Sequence, residues 1–389
     1  MRAITQEFRD FFRKGDMVLL FLCLFTTAFG CLVISSATND MGSARYIILQ
    51  IVAATVGVFL FAVVSSIDAE TFSEHRSLLV IFNCVLLSLL LPFGTDNGTG
   101  NRSWLTFPGL PFDIQPAEIC KITYILIMAS VMASHQNRIS SFWSVMHMVI
   151  HLGILVGMNM VMSSDAGVSL IFVFIFIGMA FSGGVHLGWF GLAIGGIGAM
   201  IPFAWKYMLG DHQKNRIMIL FDPSIDPQGV NERYHTVQSI ASISGGGLTG
   251  QGLFNGNRTQ AYALTAQHTD YIFSAIAEEL GFFGCLFAIT LICLIILRCI
   301  QVGVRSPDYI RRLICFGAAS TLIFQLISNV GMCIGITPVI GLTLPFISYG
   351  SSSLVSLYAM LGLVSGVYAR PAPTSLPRYV QPPYMHREK

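Results

Sequence analysis

The sequence predicts an all-α polytopic membrane protein with ten transmembrane helices, both termini cytoplasmic, and a large extracytoplasmic loop between helices 7 and 8. Three observations predict it. Of 389 residues, 54% are hydrophobic and only 11% charged, against about 25% charged in soluble domains, and the mean hydropathy is +0.69. Apolar runs of membrane-crossing length recur along the chain. The basic residues near the ends of those runs are distributed unequally between the two sides.

The ten runs cover roughly 17–36, 46–65, 78–93, 116–134, 142–162, 166–183, 187–209, 271–299, 312–335 and 346–369. The first follows Arg9, Arg13 and Lys14 as a signal peptide would, but it lacks a small-residue cleavage site and is expected to remain as a helix. With the N-terminus inside, the inner segments hold fourteen of the 22 Lys and Arg residues and the outer ones seven, with Lys121 inside a span. Residues 1–16 then form a cytoplasmic N-terminal segment and 17–369 a single membrane domain. Residues 370–389, proline-rich and without periodicity, form a disordered cytoplasmic tail.

Two outer segments stand out. Residues 94–115 form one loop, and residues 210–270 form another of a length uncommon for a plain connection. The latter's turn clusters, Asp222-Pro-Ser-Ile-Asp-Pro-Gln-Gly and Gly245-Gly-Gly, are expected to fold as a cover over a site. It carries Tyr234-His-Thr-Val-Gln-Ser with Gln238, a glycine-rich run from Ser244 to Gly252, and Gln267-His-Thr-Asp-Tyr-Ile-Phe. The last delivers Asp270 to the mouth of the eighth span. An acid there is either an N-cap or a functional group, because ionisable residues at a membrane face are costly.

Further polar groups fall on the same side. Gln115-Pro-Ala-Glu-Ile-Cys-Lys opens the fourth span, with Pro116 in the first turn and Glu118 and Lys121 three apart, close enough to pair. Asn101-Arg-Ser-Trp places Arg102 beside Trp104, Arg45 opens the second span, and Asp165 precedes the sixth, where N-capping is the simpler role. Arg216 adds a cation in the large loop. Arginines grip phosphate oxygens in a bidentate way, and a carboxylate among cations suits deprotonation of a hydroxyl; together these are the requirements for moving a sugar from a lipid diphosphate. Thr337-Pro through Tyr349-Gly-Ser-Ser-Ser, broken by two prolines, is expected to make a re-entrant turn followed by a tight helix start.

Other chemistries are excluded or weak. The net charge of +2 and the lack of basic runs with aromatics argue against nucleic acid. No P-loop or dinucleotide fingerprint is present, and Gly195-Gly-Ile-Gly reads as close helix packing. The nine cysteines lie in apolar spans without zinc spacing. His147 and His151 share a helix face but lack an evident third ligand. Glu278 lies well round the helix from Asp270, so a tight carboxylate pair is not implied.

Taken in order, Asn101-Arg-Ser-Trp, Gln115-Pro-Ala-Glu, Tyr234 to Ser239, Ser244 to Gly252, His268-Thr-Asp-Tyr-Ile-Phe through Glu278-Glu-Leu-Gly, and Leu344-Pro-Phe-Ile-Ser-Tyr-Gly resemble the SEDS family (shape, elongation, division and sporulation). These are the RodA/FtsW-type peptidoglycan polymerases of bacteria. The resemblance implies an inverting peptidoglycan glycosyltransferase of the bacterial cytoplasmic membrane, its site facing outward. It would polymerise lipid II onto a nascent glycan strand and release undecaprenyl diphosphate. It implies Asp270 as the catalytic residue, a general base or electrostatic anchor at the acceptor's GlcNAc 4-hydroxyl, and Arg45, Arg102, Trp104, Glu118, Lys121, Asp165, Arg216, Gln238, His268 and Thr269 as substrate-binding residues. A divalent cation, Mg2+ or Mn2+, would suit the leaving diphosphate, with no ligand set legible. The implied partners are a class B penicillin-binding protein and other cell-wall membrane proteins. Thr265-Ala-Gln stands where the family often has Pro-Glu, and Ser351 where it often has a second glycine. The Asp222 run and the short termini resemble the elongation branch more than the division branch. A lipid II flippase and a non-catalytic activating scaffold are the alternatives.

Overall fold

The structure is a computed structural model that describes residues 14–68, 75–95, 101–107, 109, 112–207, 214, 218, 222, 226 and 233–370. The chain beyond residue 370, residues 1–13, Arg216 and most of the Asp222 run therefore lie outside the described residues.

Each of the ten apolar runs forms a helix, and local chemistry sets several of the starts. Helix α1 (Met17–Ala37) begins at Asp16, whose Oδ1 accepts the Leu19 N–H at 3.1 Å. It is followed by α2 (Ser43–Ser66), α3 (Arg76–Ser88) and the short continuation α4 (Leu90–Phe93). A two-residue antiparallel pair, β1 (Gly94–Thr95) and β2 (Trp104–Leu105), joins Gly94 to Leu105 and Thr95 to Trp104. Next come α5 (Pro116–Ser134), with Pro116 in its first turn, α6 (Phe142–Ser163) and α7 (Ala166–Ser182), which starts at Asp165. After α8 (Leu187–Tyr207), the described part of the long loop holds α9 (Tyr234–Gly246) and the single turn α10 (Asn257–Gln260). The last helices are α11 (Ile272–Arg305), α12 (Tyr309–Cys333) and α13 (Ser351–Ala369). Among the described residues, nine helices, counting Arg76–Phe93 as one, are long and apolar enough to cross a membrane, and the 17-residue α7 is a shorter apolar helix.

Burial sorts these helices into layers. Helices α13 and α12 are largely buried, α3 is half-buried, and most of α8 is exposed. The exposed faces carry Phe, Leu, Ile and Val, as a lipid-facing surface requires. Helices α2 and α13 approach through small residues. A methyl at Gly57 would fall 2.7 Å from the Tyr358 ring, and one at Gly362 would fall 2.8 Å from the Phe61 carbonyl oxygen. The expected close packing at Gly195-Gly-Ile-Gly is not found. Gly195, Gly196 and Gly198 of α8 have no described neighbour within 4 Å of a built Cβ, because α8 stands apart from the bundle.

The part of the long loop nearest the site is folded, and it docks into a break in a helix. Gly281 has φ +67° and ψ −162°, which interrupts the hydrogen-bond ladder of α11. The Glu278 and Glu279 carbonyls freed on one side accept from the Gln251 and Gly252 N–H groups, both at 2.9 Å. On the other side the Phe282 and Phe283 N–H groups donate to Gly247 and Leu248 at 2.9 and 3.2 Å. The glycine-rich run thus completes the ladder that Gly281 breaks. Its backbone comes so close that a methyl on Gly246 would lie 1.8 Å from the Ala277 carbonyl oxygen, and one on Gly250 2.1 Å from that of Glu279.

Two buried acids brace this loop from below. Glu278 accepts from the Arg258 and Thr259 N–H groups at 2.7 and 2.9 Å and from the Thr259 hydroxyl at 2.7 Å, holding the start of α10. Glu279 accepts from Gln260 at 2.8 Å. Both carboxylates therefore brace the folded loop.

The expected turn at 337–350 is present as non-helical chain, with Leu342, Leu344, Phe346 and Ile347 buried. Helix α13 begins at Ser351, five residues after the start of the expected span.

Substituting Gly250 by Ala should destabilise the protein by about 1–3 kcal/mol, because the methyl meets a carbonyl and φ is +79°. Gly42→Ala has a similar φ of +81° but open space around it, so it should cost about 1 kcal/mol at most. Melting temperatures of the two variants in detergent would check the order.

Candidate functional site

The Asp270 backbone is fixed by a tight turn and by three clamps. The turn is closed by Thr269 and Tyr271 N–H groups, both donating to the Ala266 carbonyl at 3.2 and 3.0 Å. Gln267, buried at its base, donates to the Ala37 and Thr259 carbonyls at 2.9 and 2.8 Å. This amide ties the turn to α1 and α10 in the stretch where a Pro-Glu pair was missing. The Tyr349 N–H then donates to the His268 carbonyl at 2.9 Å. The Ser348 hydroxyl donates to the Thr269 carbonyl at 2.6 Å, and the Asn329 amide to the Asp270 carbonyl at 2.7 Å. Gln50 of α2 secures the Ser348-Tyr349-Gly350 turn by donating to the Ser348 carbonyl at 3.1 Å.

The side chain is left free by this arrangement. Tyr271 is the residue before α11, and Asp270 makes no capping bond to that helix. Among the described residues none hydrogen-bonds or ion-pairs with the Asp270 carboxylate, which is half-buried beside Gly341. Burial first, and then the Asp165 charge, push its pKa up to about 6. N-capping is thus excluded for Asp270.

For Asp165 the cap and a place at the site coexist. Its Oδ1 accepts the Val168 N–H at 3.0 Å, and Gln115 Nε2 donates to its Oδ2 at 3.4 Å. The 340–342 turn runs between the two acids. A methyl on Gly167 would lie 2.5 Å from the Ile340 carbonyl oxygen, and one on Gly341 3.4 Å from Asp270 Oδ2.

Glu118 and Lys121 form the pair their spacing predicts, at 2.8 Å, with both side chains 5% exposed or less. The Ser356 hydroxyl of α13 donates to the other Glu118 oxygen at 2.6 Å. Gln115 joins this layer to α13 through its N–H, which donates to Ser352 at 3.0 Å. Gln115, Glu118, Lys121, Asp165 and Asp270 therefore belong to one polar layer between α5, α7, α12 and α13.

The remaining expected residues divide. Tyr46, His268 and Tyr349 form an aromatic group, with ring centroids 5.1–5.8 Å apart. Exposed Arg45 lies close enough to influence Tyr349 electrostatically. Burial lowers the His268 pKa, so its ring is neutral at pH 7 and is not a cation for a diphosphate. Arg102 is exposed at the entry to β2, and half-buried Trp104 is paired within it. The Ser103 hydroxyl lies 2.6 Å from that of Ser163, which ties this loop to the end of α6 near Asp165. The Thr269 hydroxyl is turned back to the Ala266 carbonyl at 3.3 Å and serves the turn. The Gln238 amide oxygen accepts from the Arg258 guanidinium within the folded loop. Arg216 lies outside the described residues.

Sequence reasoning missed Asn329, an asparagine in an apolar helix, and the buried Ser356. A polar residue inside a helix that is otherwise buried was the available signal. His135 joins His147 and His151, with its Nε2 3.5 Å from His147 Nδ1. Even so, no group of three or more His, Cys, Asp or Glu among the described residues is placed to hold a metal ion.

The fold and this layer define a polytopic, all-helical membrane protein with an unneutralised acid at a bundle mouth. The family model named for FtsW, RodA and SpoVE, described as "Cell cycle protein", matches residues 16–371, and the chain belongs to that family. It is 32% identical to the peptidoglycan glycosyltransferase MrdB of Escherichia coli K12, over 91% of this chain and 93% of that one. It is also 32% identical to the probable peptidoglycan glycosyltransferase FtsW of Thiomicrospira cyclica, over 90% of each. A structure from work on the coordination of polymerization and crosslinking by a peptidoglycan synthase complex superposes with a TM-score of 0.77 at 29% identity, covering 91% of this chain and 97% of that one. The crystal structure of the rod shape determining protein RodA of Thermus thermophilus gives 0.68 at 25% identity, covering 92% and 98%.

Removing one member of the buried pair leaves an uncompensated charge. Lys121→Met should cost about 3–5 kcal/mol of stability, and Glu118→Gln added to it should restore most of that loss. Thermal unfolding of the single and double variants would measure both.

Proposed function

We propose that this protein is a peptidoglycan glycosyltransferase that polymerises lipid II at the outer face of the bacterial cytoplasmic membrane. We assign it to the branch that serves cell elongation and shape. The observation that carries the reading is an Asp270 carboxylate held through its backbone alone, with no cation or donor among the described residues to neutralise it. The names of the relatives and the order of the shared motifs support it. The likeness to MrdB and to the rod shape determining protein RodA, each at near-full coverage, supports the elongation branch.

In this reading the 4-hydroxyl of the acceptor GlcNAc gives its proton to Asp270. The oxygen then attacks the anomeric carbon of the donor strand from the face opposite the diphosphate. The new bond is β-1,4, and undecaprenyl diphosphate leaves with the electron pair of the broken C–O bond. An acid with a pKa of about 6 is ionised at neutral pH yet basic enough to take a proton in the transition state. Arg45 and Arg102, exposed and cationic, grip the diphosphates, with Arg216 as a further cation of the loop. Trp104 packs at the rim. Glu118, Lys121 and Asp165 set the field of the recess.

The residues fit a divalent cation only in part. Asp165 would hold Mg2+ or Mn2+ together with oxygens from the donor diphosphate, in the manner of magnesium sites that rely on one or two carboxylates plus phosphate, which leaves Asp270 free to accept a proton. When bound, the ion would neutralise charge on the leaving group. The partner in this reading is a class B penicillin-binding protein that crosslinks the strand. Its support is the likeness to a chain from a complex that couples polymerization to crosslinking.

Asp270→Asn should abolish polymerisation of purified lipid II by the protein with its partner. Its folded pKa is raised above the ordinary carboxylate value, so the ionised form weighs against the fold at neutral pH. The Asn variant should therefore melt no lower than wild type at pH 7.5. Strand formation by a folded Asp270→Asn protein would refute the reading, and translocation of labelled lipid II unaffected by that change would favour a flippase.

The rate of the wild-type complex should fall about tenfold per pH unit below about 6, where Asp270 is protonated. Asp165→Asn removes a nearby negative charge and should move that limb to lower pH. An initial-rate profile from pH 4.5 to 8 would measure it.

A further inference from the structure

The shorter of two bonds from α12 to the Asp270 carbonyl comes from one amide. Asn329 is fully buried, and its Nδ2 donates to the Asp270 carbonyl and to the Leu342 carbonyl, both at 2.7 Å. Both amide protons are thereby used on two segments distant in sequence: the turn that carries the acid and the 340–342 turn that separates it from Asp165. Its Oδ1 is buried with no hydrogen-bond partner. The opposite amide orientation would set that oxygen against two carbonyl oxygens, so the orientation is fixed by its neighbours. A buried amide with an unsatisfied oxygen is costly and persists where its donors do something apolar packing cannot. The Cys333 thiol, one turn later on α12, lies 3.8 Å from the same Asp270 carbonyl.

We propose that Asn329 is a positioning residue for the transfer reaction. By bridging the Asp270 and Leu342 carbonyls, it fixes the distance and angle at which the carboxylate meets the attacking hydroxyl. The inference rests on the reading of Asp270 as the base. Asn329 does not touch the reacting atoms. It acts by denying the 268–271 turn any freedom to slide along the bundle, and by keeping the 340–342 turn between the two acids. A shift of the base by about 1 Å is enough to lower a rate by about 100-fold while leaving substrate affinity nearly intact. The titratable groups facing Asp270 are Asp165 at the start of α7 and Cys333 on α12, with the Glu118–Lys121 pair of α5 behind Asp165.

The test uses the full-length protein with its partner, purified lipid II as substrate, and three variants. Asn329→Val keeps the side chain's approximate size but has no donor, and should lower kcat by about 10- to 100-fold with KM changed less than about threefold. Asn329→Ser keeps one donor and should recover part of that loss. Asn329→Asp sets a negative oxygen against both carbonyls, and should lose activity and raise the pH at which the acidic limb falls. If Asn329→Asp does not fold, the Val and Ser pair decides alone. Melting temperature and lipid II binding, followed alongside, separate positioning from unfolding. Wild-type kcat in Asn329→Val would overturn the proposal, and so would a loss in which KM alone rises or in which Ser is no better than Val. Asp270→Asn is run in parallel. If it stays active, the reading of the site falls; if it is dead while Asn329→Val keeps its kcat, only this inference falls.

Discussion

A carboxylate that must accept a proton cannot be fastened by the groups that usually fasten carboxylates. Arginine, lysine or several N–H donors would stabilise the ionised form and lower its basicity. Around Asp270 only the main chain is held. The His268 and Thr269 carbonyls accept from Tyr349 and Ser348, the Asp270 carbonyl accepts from Asn329 and the Cys333 thiol, and the Asp270 side chain takes no part. Four donors on α12 and the 348–350 turn thus set the position of one side chain without altering its charge. The contrast with Glu118 is instructive. That acid is fastened by its own oxygens, to Lys121 and Ser356.

The same logic explains why the long loop must be folded. The turn that carries Asp270 is the last part of a segment that could otherwise swing. Its upstream half is locked where Gly281 interrupts α11 and Gly247 to Gly252 complete the missing ladder. Backbone bonds across that break need very close approach, and glycines at 246, 250 and 281 remove the side chains that would prevent it. Glu278 and Glu279 then anchor the 256–260 turn, and Gln267 ties that turn to the Asp270 turn. Glycine run, paired acids and catalytic turn form one mechanical unit, although the sequence presents them as separate motifs.

Much of this was legible in the amino-acid sequence because its signals are local. Apolar run length placed all ten helices, since a helix that faces lipid has few other sequences available to it. Three-residue spacing gave the Glu118–Lys121 pair. What could not be read depends on neighbours far apart in the chain. No local pattern tells that Asn329 bridges residues 270 and 342, or that a glycine run enters a helix 30 residues later. Gln238 and Thr269 each sit inside a shared motif, and their side chains bond to the loop itself. Motif membership marks a residue as needed without saying for what. The glycines of α8 fail for the same reason, since small residues permit close packing but cannot supply the neighbour.

The distribution of cations narrows the assignment of roles further. Lys121 is buried and already paired, so at long range it and Glu118 act as a dipole with little net charge. Arg258 is engaged with Gln238, and His268 is held neutral. Among the expected binding residues within the described chain, the free positive charge is left to Arg45 and Arg102, both exposed at the rim. In the proposed reading a diphosphate would be gripped at these exposed residues, where water screens the attraction and permits release, and the hydroxyl would be deprotonated beside half-buried Asp270. Binding at a wet rim and proton transfer in a desolvated recess make opposite demands on the dielectric. The bundle satisfies both by keeping its unpaired cations outside and its unpaired acid within.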